Sequence, residues 1–209
     1  MERLAALQCA NIQSNARSSQ VFRHNLPKAS DTFPTLVTRR LRLRRFEPHD
    51  AADLHACVGD KGAMRIWNFP ASKTMAETEK ALVWLSKTTS PCDHLAWAIC
   101  KRSNRRCIGM VNYHRRDAHN RRLQLGYIVA PKHQRCGFGT EAVRAVLDYC
   151  AGALHVHRIE ALIHPDNVNS TRLVERLGFH CEGGPLRDYW RVGDGYASVM
   201  IYALTSLDR

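Results

Sequence analysis

The sequence predicts a single mixed α/β domain, with a mostly antiparallel central sheet of about seven strands and helices on its flanks. Three observations carry that prediction. The segments "HLAWAICKR", "RCIGMVNYHRR" and "RRLQLGYIVAP" follow one another across polar turns near Ser103 to Asn104 and Ala118 to Asn120, as an antiparallel meander does. The next stretch, "PKHQRCGFGTEAVRAV", runs from a proline through two glycines into an amphipathic pattern, a turn feeding a helix. After it come an apolar strand, "HRIEALIHP", a short helix, "NVNSTRLVERLGF", stopped at Gly178, and two final strands around residues 179–186 and 196–204.

The amino-terminal part supplies the remaining elements. Residues 1–35 mix Ser, Asn, Gln and Arg without a sustained period and are expected to form a flexible extension, with the domain over residues 36–209. From Val37 to Phe46 the pattern alternates, Leu41 and Leu43 on one face and Arg40, Arg42 and Arg44 on the other, as in a half-exposed strand. "EPHDAADLHACVGD" follows as a helix opened by Pro48 and stopped by Gly59, with Ala52, His55 and Ala56 expected along its face. In "TMAETEKALVWLSK", Thr74 and Glu77 have the spacing of a capping box.

A chain of 209 residues with 44% hydrophobic content suits one domain with a sizeable core. No apolar run reaches membrane-span length and the first residues lack the apolar stretch of a signal peptide, so a cytoplasmic protein without a membrane partner is expected. The eight cysteines are scattered singly, which favours reduced thiols, and the histidines and cysteines fall at no metal-ligand spacing, so no metal is expected. The net charge of +12 attracts anions: nucleic acid, a ribosome, acidic peptides or a phosphate-rich cofactor. No aromatic platform interleaves the basic runs "TRRLRLRRF" and "HRRDAHNRR", so a solvated basic surface is favoured over a dedicated nucleic-acid site.

The glycine turn satisfies two patterns. Gly137, Gly139 and Ala142 match the dinucleotide fingerprint G-x-G-x-x-G/A, while Gln134, Gly137 and Gly139 match the pyrophosphate loop Q/R-x-x-G-x-G/A. Chain order decides between them. A dinucleotide fold needs its fingerprint in the first strand-to-helix turn and further crossover units after it, and only about 70 residues follow Gly139. Nor does Gly-Lys-Ser/Thr follow, as a Walker loop requires. Gly137 and Gly139 let the backbone approach phosphate oxygens, and amides at the helix start donate to them. Gln134 can donate from its side chain, Arg135 adds charge, and Thr140 reaches the same anion from the first turn.

"LGYIVAP", "QRCGFGTEA" and "HPDNVNSTRLVERLGF", in that order, resemble the acetyl-CoA-binding core of the GNAT acetyltransferases. "TRRLRLRRFEPHDA" is similar to the opening of the ribosomal-protein N-terminal acetyltransferases of the RimJ and RimL type, and the resemblance spans about residues 36–205. It implies a sheet with a splayed cofactor-binding strand pair, acetyl-CoA as acetyl donor, and direct attack by a primary amine in a ternary complex. The acceptor it implies is a protein or peptide α-amine; a small-molecule amine such as a polyamine or antibiotic, and a catalytically weak protein binding RNA or the ribosome, stand as alternatives, and a homodimer is compatible with the branch. In this resemblance Tyr127, Ile128 and Val129 contact the cofactor arm through main-chain groups, and the loop of Gln134, Arg135, Gly137, Phe138, Gly139 and Thr140 holds the pyrophosphate. Asn167 touches the cofactor, Asn169 serves as the helix cap, and Ser170 lies near the thioester sulfur, where its hydroxyl can protonate the leaving thiolate. Val174 stands where many relatives carry a tyrosine acid.

The base is left open. Relatives often have Glu where this chain has Gln124, and an amide cannot accept the proton. His114, His133 and His164 are candidates because neutral imidazole can take a proton near pH 7. Cys136, beside the helix start, lacks an identifiable histidine partner. Acceptor selection is expected in the loops Trp67 to Ser72 and Asp188 to Tyr196.

Overall fold

The structure, a computed structural model, describes residues 33–67, 69–87, 93–192 and 194–208. The extension expected over residues 1–35 lies outside these, apart from 33–35. No helix among the described residues is long and apolar enough to cross a membrane.

The alternating segment after Val37 is a hairpin, not one strand: β1 spans Leu36–Val37 and β2 Leu41–Arg44. Thr38 reverses the chain. Its N–H donates to the Leu41 carbonyl at 2.9 Å, and its hydroxyl accepts from the Leu41 N–H at 3.0 Å. In β2 the expected alternation holds, with Leu41 and Leu43 fully buried. A 3₁₀ turn at Pro48–Asp50 leads into α1, Ala51–Val58. Arg44 donates to both carboxylate oxygens of buried Asp50, at 2.6 and 2.9 Å, and so ties this start to β2.

The buried face of α1 is Leu54 and Cys57; Ala52 and Ala56, expected on it, are exposed. Larger apolar side chains three apart bury more surface than a pair of alanines, and they set the helix rotation. His55 is half-buried, its Nδ1 2.7 Å from the Thr78 hydroxyl. A short α2, Lys61–Met64, was not legible in the sequence; α3 covers Met75–Ser86. Thr74 caps α3 by accepting from the Glu77 N–H at 3.3 Å, but Glu77 reaches back to the Lys73 N–H, one residue before the reciprocal partner.

The meander is present as β3, Leu95–Lys101, β4, Cys107–Asp117, and β5, Arg122–Val129. Then come α4, Phe138–Gly152, β6, Arg158–Ile163, α5, Val168–Arg176, β7, His180–Val192, and β8, Gly195–Thr205. The sheet has eight strands in the order β1-β2-β3-β4-β5-β6-β8-β7, the short β1 adding one to the expected seven or so. Gly178, with φ of 90°, turns the chain out of α5 as the stop signal implied.

Strand period divides the core. Trp97, Val111, Leu123 and Ile159 face α4 and α5, where Val143, Val146 and Val174 cover them. Ala96, Ala98, Met110 and Ile128 point the other way, beneath Leu54 and Cys57 of α1 and Leu82 and Leu85 of α3.

Candidate active site

The parallel pair β5–β6 is joined only at its beginning. Arg122 faces Arg158, Leu123 faces Ile159 and Gln124 faces Glu160; no rung follows. β4 nevertheless stays paired with β5 as far as Val129. Beyond Gln124 the two parallel strands therefore diverge, and the β6-facing main-chain groups of residues 125–129 are open to an extended chain other than a strand. Tyr127, Ile128 and Val129 lie in this divergent half, Ile128 and Val129 with buried side chains. The Tyr127 hydroxyl crosses to α5 and donates to the Ser170 carbonyl at 3.3 Å. Burial pushes the Tyr127 phenol up to about 12.

At the mouth of the fork the glycine loop turns into α4. Gly137 is the cap residue, with φ of 79°, a left-handed value that favours glycine, and the first helical bond runs from the Glu141 N–H to the Gly137 carbonyl at 3.1 Å. The amides of Phe138, Gly139 and Thr140 precede that bond and make an anion-attracting helix start. Gly139 serves packing as well. A Cβ there would stand 3.0 Å from Leu173 Cδ1 of α5. Gln134 directs its side-chain amide to the Val129 carbonyl at 2.9 Å, closing the loop onto the end of β5.

One arrangement was missed from the sequence. Glu141, in the first turn of α4, accepts from the Thr38 hydroxyl at 2.6 Å, from the Arg40 amide at 2.8 Å and from Arg40 Nε at 2.6 Å. Burial alone would raise the Glu141 carboxyl, but the Thr38 hydroxyl and the Arg40 donors outweigh it and hold it below the usual glutamate range. Arg40 also donates to the Cys136 carbonyl at 3.0 Å and stacks over the Phe138 ring at 4.5 Å. With Arg39, Lys101 and Arg102 it lines a basic groove of about 350 Å³ at the start of α4.

Asn167, not Asn169, caps α5: its Oδ1 accepts from the Ser170 N–H at 3.1 Å. Asn167 has non-helical backbone angles, whereas Asn169 already lies within the helix. The helix start thus holds Ser170 beside the fork, next to the Tyr127 hydroxyl.

The opposite face of the sheet carries the other group. His114 pairs with Gln124 and Gln124 with Glu160, so the three side chains share one row on the face covered by α1 and α3. Gln124 Nε2 donates to Glu160 Oε2 at 3.2 Å, and Arg158 Nε donates to Oε1 at 2.9 Å. Gln124 and Glu160 of that row line a pocket of about 310 Å³, together with Arg115, Asp117, Arg122 and Tyr189. Tyr189 comes from the final hairpin, one of the two segments expected to select the acceptor. Of the other, residues 67–72, position 68 lies outside the described residues.

The histidines differ in what they can do. His164 Nδ1 accepts from the Asp166 N–H at 3.1 Å in a turn, and His133 packs edge-on against Phe138. Burial pushes the His114 imidazole down to about 4, so it is neutral at pH 7 and a weak proton acceptor. Away from the fork, Asp50, Cys100 and Cys107 gather within 4.8 Å, but both Asp50 oxygens are occupied by Arg44.

A fork of two parallel strands, an exposed helix start at its mouth and a polar pocket behind its closed end make room for an extended acyl carrier and a second substrate. The acetyltransferase (GNAT) domain family matches residues 40–180. The chain belongs to this family. It is an acyltransferase, with acetyl-CoA as donor and an amine as acceptor. The uncharacterized N-acetyltransferase YoaA of Bacillus subtilis is 31% identical over 157 residues, covering 75% of this chain and 88% of that protein. The [ribosomal protein uS5]-alanine N-acetyltransferase of Escherichia coli is 37% identical over 84 residues, 40% of this chain and 43% of that one. The crystal structure of a spermidine N-acetyltransferase from Vibrio cholerae with CoA and spermine superposes with a TM-score of 0.69 at 21% identity, over 82% of this chain and 98% of that one.

Proposed function

We propose that this GNAT acetyltransferase modifies the α-amine of a protein or peptide, by direct attack in a ternary complex. The observation that carries the donor side is the fork itself, whose divergent β5 edge suits the amides of a pantetheine arm while the α4 start suits a pyrophosphate. Gln134 closes the loop, Gly137, Phe138, Gly139 and Thr140 offer main-chain donors, and Arg135 adds charge. Asn167 fixes the start of α5, and Ser170 supplies a proton to the departing thiolate.

Two considerations support the α-amine. The matching stretch of the uS5-alanine acetyltransferase is a protein modifier by name. An α-amine has a reference pKa near 8, against about 10.4 for lysine, so more of it is neutral at pH 7. That suits a site with Gln124 where a carboxylate is common.

The test incubates enzyme and acetyl-CoA with a peptide bearing a free amino terminus and with its N-blocked, lysine-containing counterpart. Mass spectrometry then locates the acetyl group. Faster modification of the free terminus is expected. Exclusive lysine modification, or reaction only with a polyamine or aminoglycoside, would overturn the α-amine assignment and leave the acetyltransferase intact.

A further inference from the structure

We infer that Glu160 of β6 is the carboxylate that receives the acceptor's ammonium and takes its first proton, in place of a carboxylate on β5. The inference rests on the acetyltransferase reading above and adds a residue that it leaves unassigned.

Gln124 and Glu160 form the last rung before β5 and β6 diverge, so they close the inner end of the fork. An acyl carrier lying along the divergent half, with its phosphates at the α4 start, brings its acyl end to this rung. The rung's side chains point to the α1 and α3 face, away from α4 and α5, which puts them on the side from which a second substrate can approach. Gln124 and Glu160 line the 310 Å³ pocket there, with His114 beside Gln124 in the same row. His114 is neutral, and Gln124 carries no charge. Glu160 is the carboxylate of that row.

The neighbours of Glu160 leave it able to do this. Its Oε1 is met by Arg158 Nε, but the rest of the Arg158 guanidinium is turned to Glu182, with Nη1 donating at 2.8 Å. The positive charge is thus shared between two carboxylates. Oε2 is met by the neutral Gln124 amide at 3.2 Å, and its second lone pair is free to accept. Arg115, Asp117, Arg122 and Tyr189 complete the surroundings. One rung further along on the same face, Asn112 lies over Gly126, where a Cβ would stand only 2.6 Å from Asn112 Oδ1, so the glycine makes room for that side chain. That Oδ1 is itself buried without a hydrogen-bond partner among the described residues, beside the place where the acyl end and amine must meet.

The step balances. The ammonium gives one proton to Glu160, directly or through one water. Nitrogen then bonds to the acetyl carbon as the carbon–sulfur bond breaks; the thiolate takes a proton from Ser170, which is replenished by the second proton leaving nitrogen. Glu160 returns its proton to solvent before the next turnover.

The test uses three full-length proteins, acetyl-CoA and the peptide with a free amino terminus: wild type, Glu160→Gln, and the swap Gln124→Glu with Glu160→Gln. The swap keeps one carboxylate and one amide in the pair, so it preserves the hydrogen bond if the single variant folds poorly. Glu160→Gln is expected to lose about 100-fold or more in kcat and the rising limb of its pH profile, with acetyl-CoA affinity by calorimetry unchanged. The swap is expected to recover at least tenfold over Glu160→Gln. Wild-type turnover in Glu160→Gln, loss of acetyl-CoA affinity in step with turnover, or a folded swap as slow as Glu160→Gln would each overturn the assignment. Silence of the wild-type protein toward every amine would instead defeat the acceptor reading, and is read separately.

Discussion

The two sides of the β5–β6 fork are made of different material. The side toward α4 and α5 is largely main chain: an unpaired strand edge, a helix start, a left-handed glycine. The side toward α1 and α3 is made of side chains from β4, β5, β6 and β7, namely His114, Gln124, Glu160 and Tyr189. A cofactor that every relative shares can be held by backbone, which any sequence supplies once the fold is formed. An acceptor has to be distinguished by side chains, and those come from distant parts of the chain. Substitutions should therefore separate the two sides in what they change.

The largest effect is expected at Ser170, on the main-chain side and proposed above as the proton donor. Ser170→Ala should lower kcat by about 100-fold in a steady-state thiol-release assay, with acetyl-CoA affinity little changed. A normal rate would reduce Ser170 to a structural member of the α5 start. Next is Gly139→Val, which should weaken acetyl-CoA binding by about tenfold or more, roughly 1.4 kcal/mol, in calorimetry. Because Leu173 crowds this position, the same variant should also lose about 1–3 kcal/mol of stability. Pairing it with Leu173→Ala relieves the crowding; if affinity then returns to the wild-type value, Gly139 serves packing alone.

A smaller effect, in stability only, is expected at Glu141. Its folded pKa is depressed, so the contribution is present above the unfolded value near 4.3 and is lost as pH falls through the folded value. Glu141→Gln should cost about 1.5–3 kcal/mol in urea unfolding at pH 7, with the gap to wild type narrowing below about pH 4. A gap independent of pH would mean that the charge is immaterial. The smallest change is Tyr127→Phe, which removes one hydrogen bond to the Ser170 carbonyl and should cost about 1 kcal/mol. A loss of turnover as large as that of Ser170→Ala would show instead that the phenol takes part in proton delivery.

What could be read from the sequence follows the same division. The meander, the α4 turn and the Gly178 stop were legible because strand period, paired glycines and a helix stop act within a few residues. The α1 face was misread because counting Ala52 and Ala56 as apolar ignores that Leu54 and Cys57 bury more surface. Asn169 was preferred over Asn167 as the cap because both residue types suit the role and only backbone angles separate them. Nothing near Glu160 in the sequence marks it, since its meaning comes from a parallel neighbour 36 residues away. Arg40 read as part of an exposed basic face, and nothing near it in sequence announces Glu141.

That pairing has a consequence for how the protein becomes competent. Thr38 and Arg40 reach Glu141 over 103 and 101 residues of chain, so the glycine turn is braced by a segment made long before it. Contacts of such span form only after a large loop has closed, and they are disfavoured while the rest of the sheet is missing. A nascent or partly folded chain that has the glycine turn but not the β1–β2 hairpin in place would have the donor motif without its clamp. Affinity for acetyl-CoA should therefore arise late and all at once, as a report that the opening hairpin has met the start of α4.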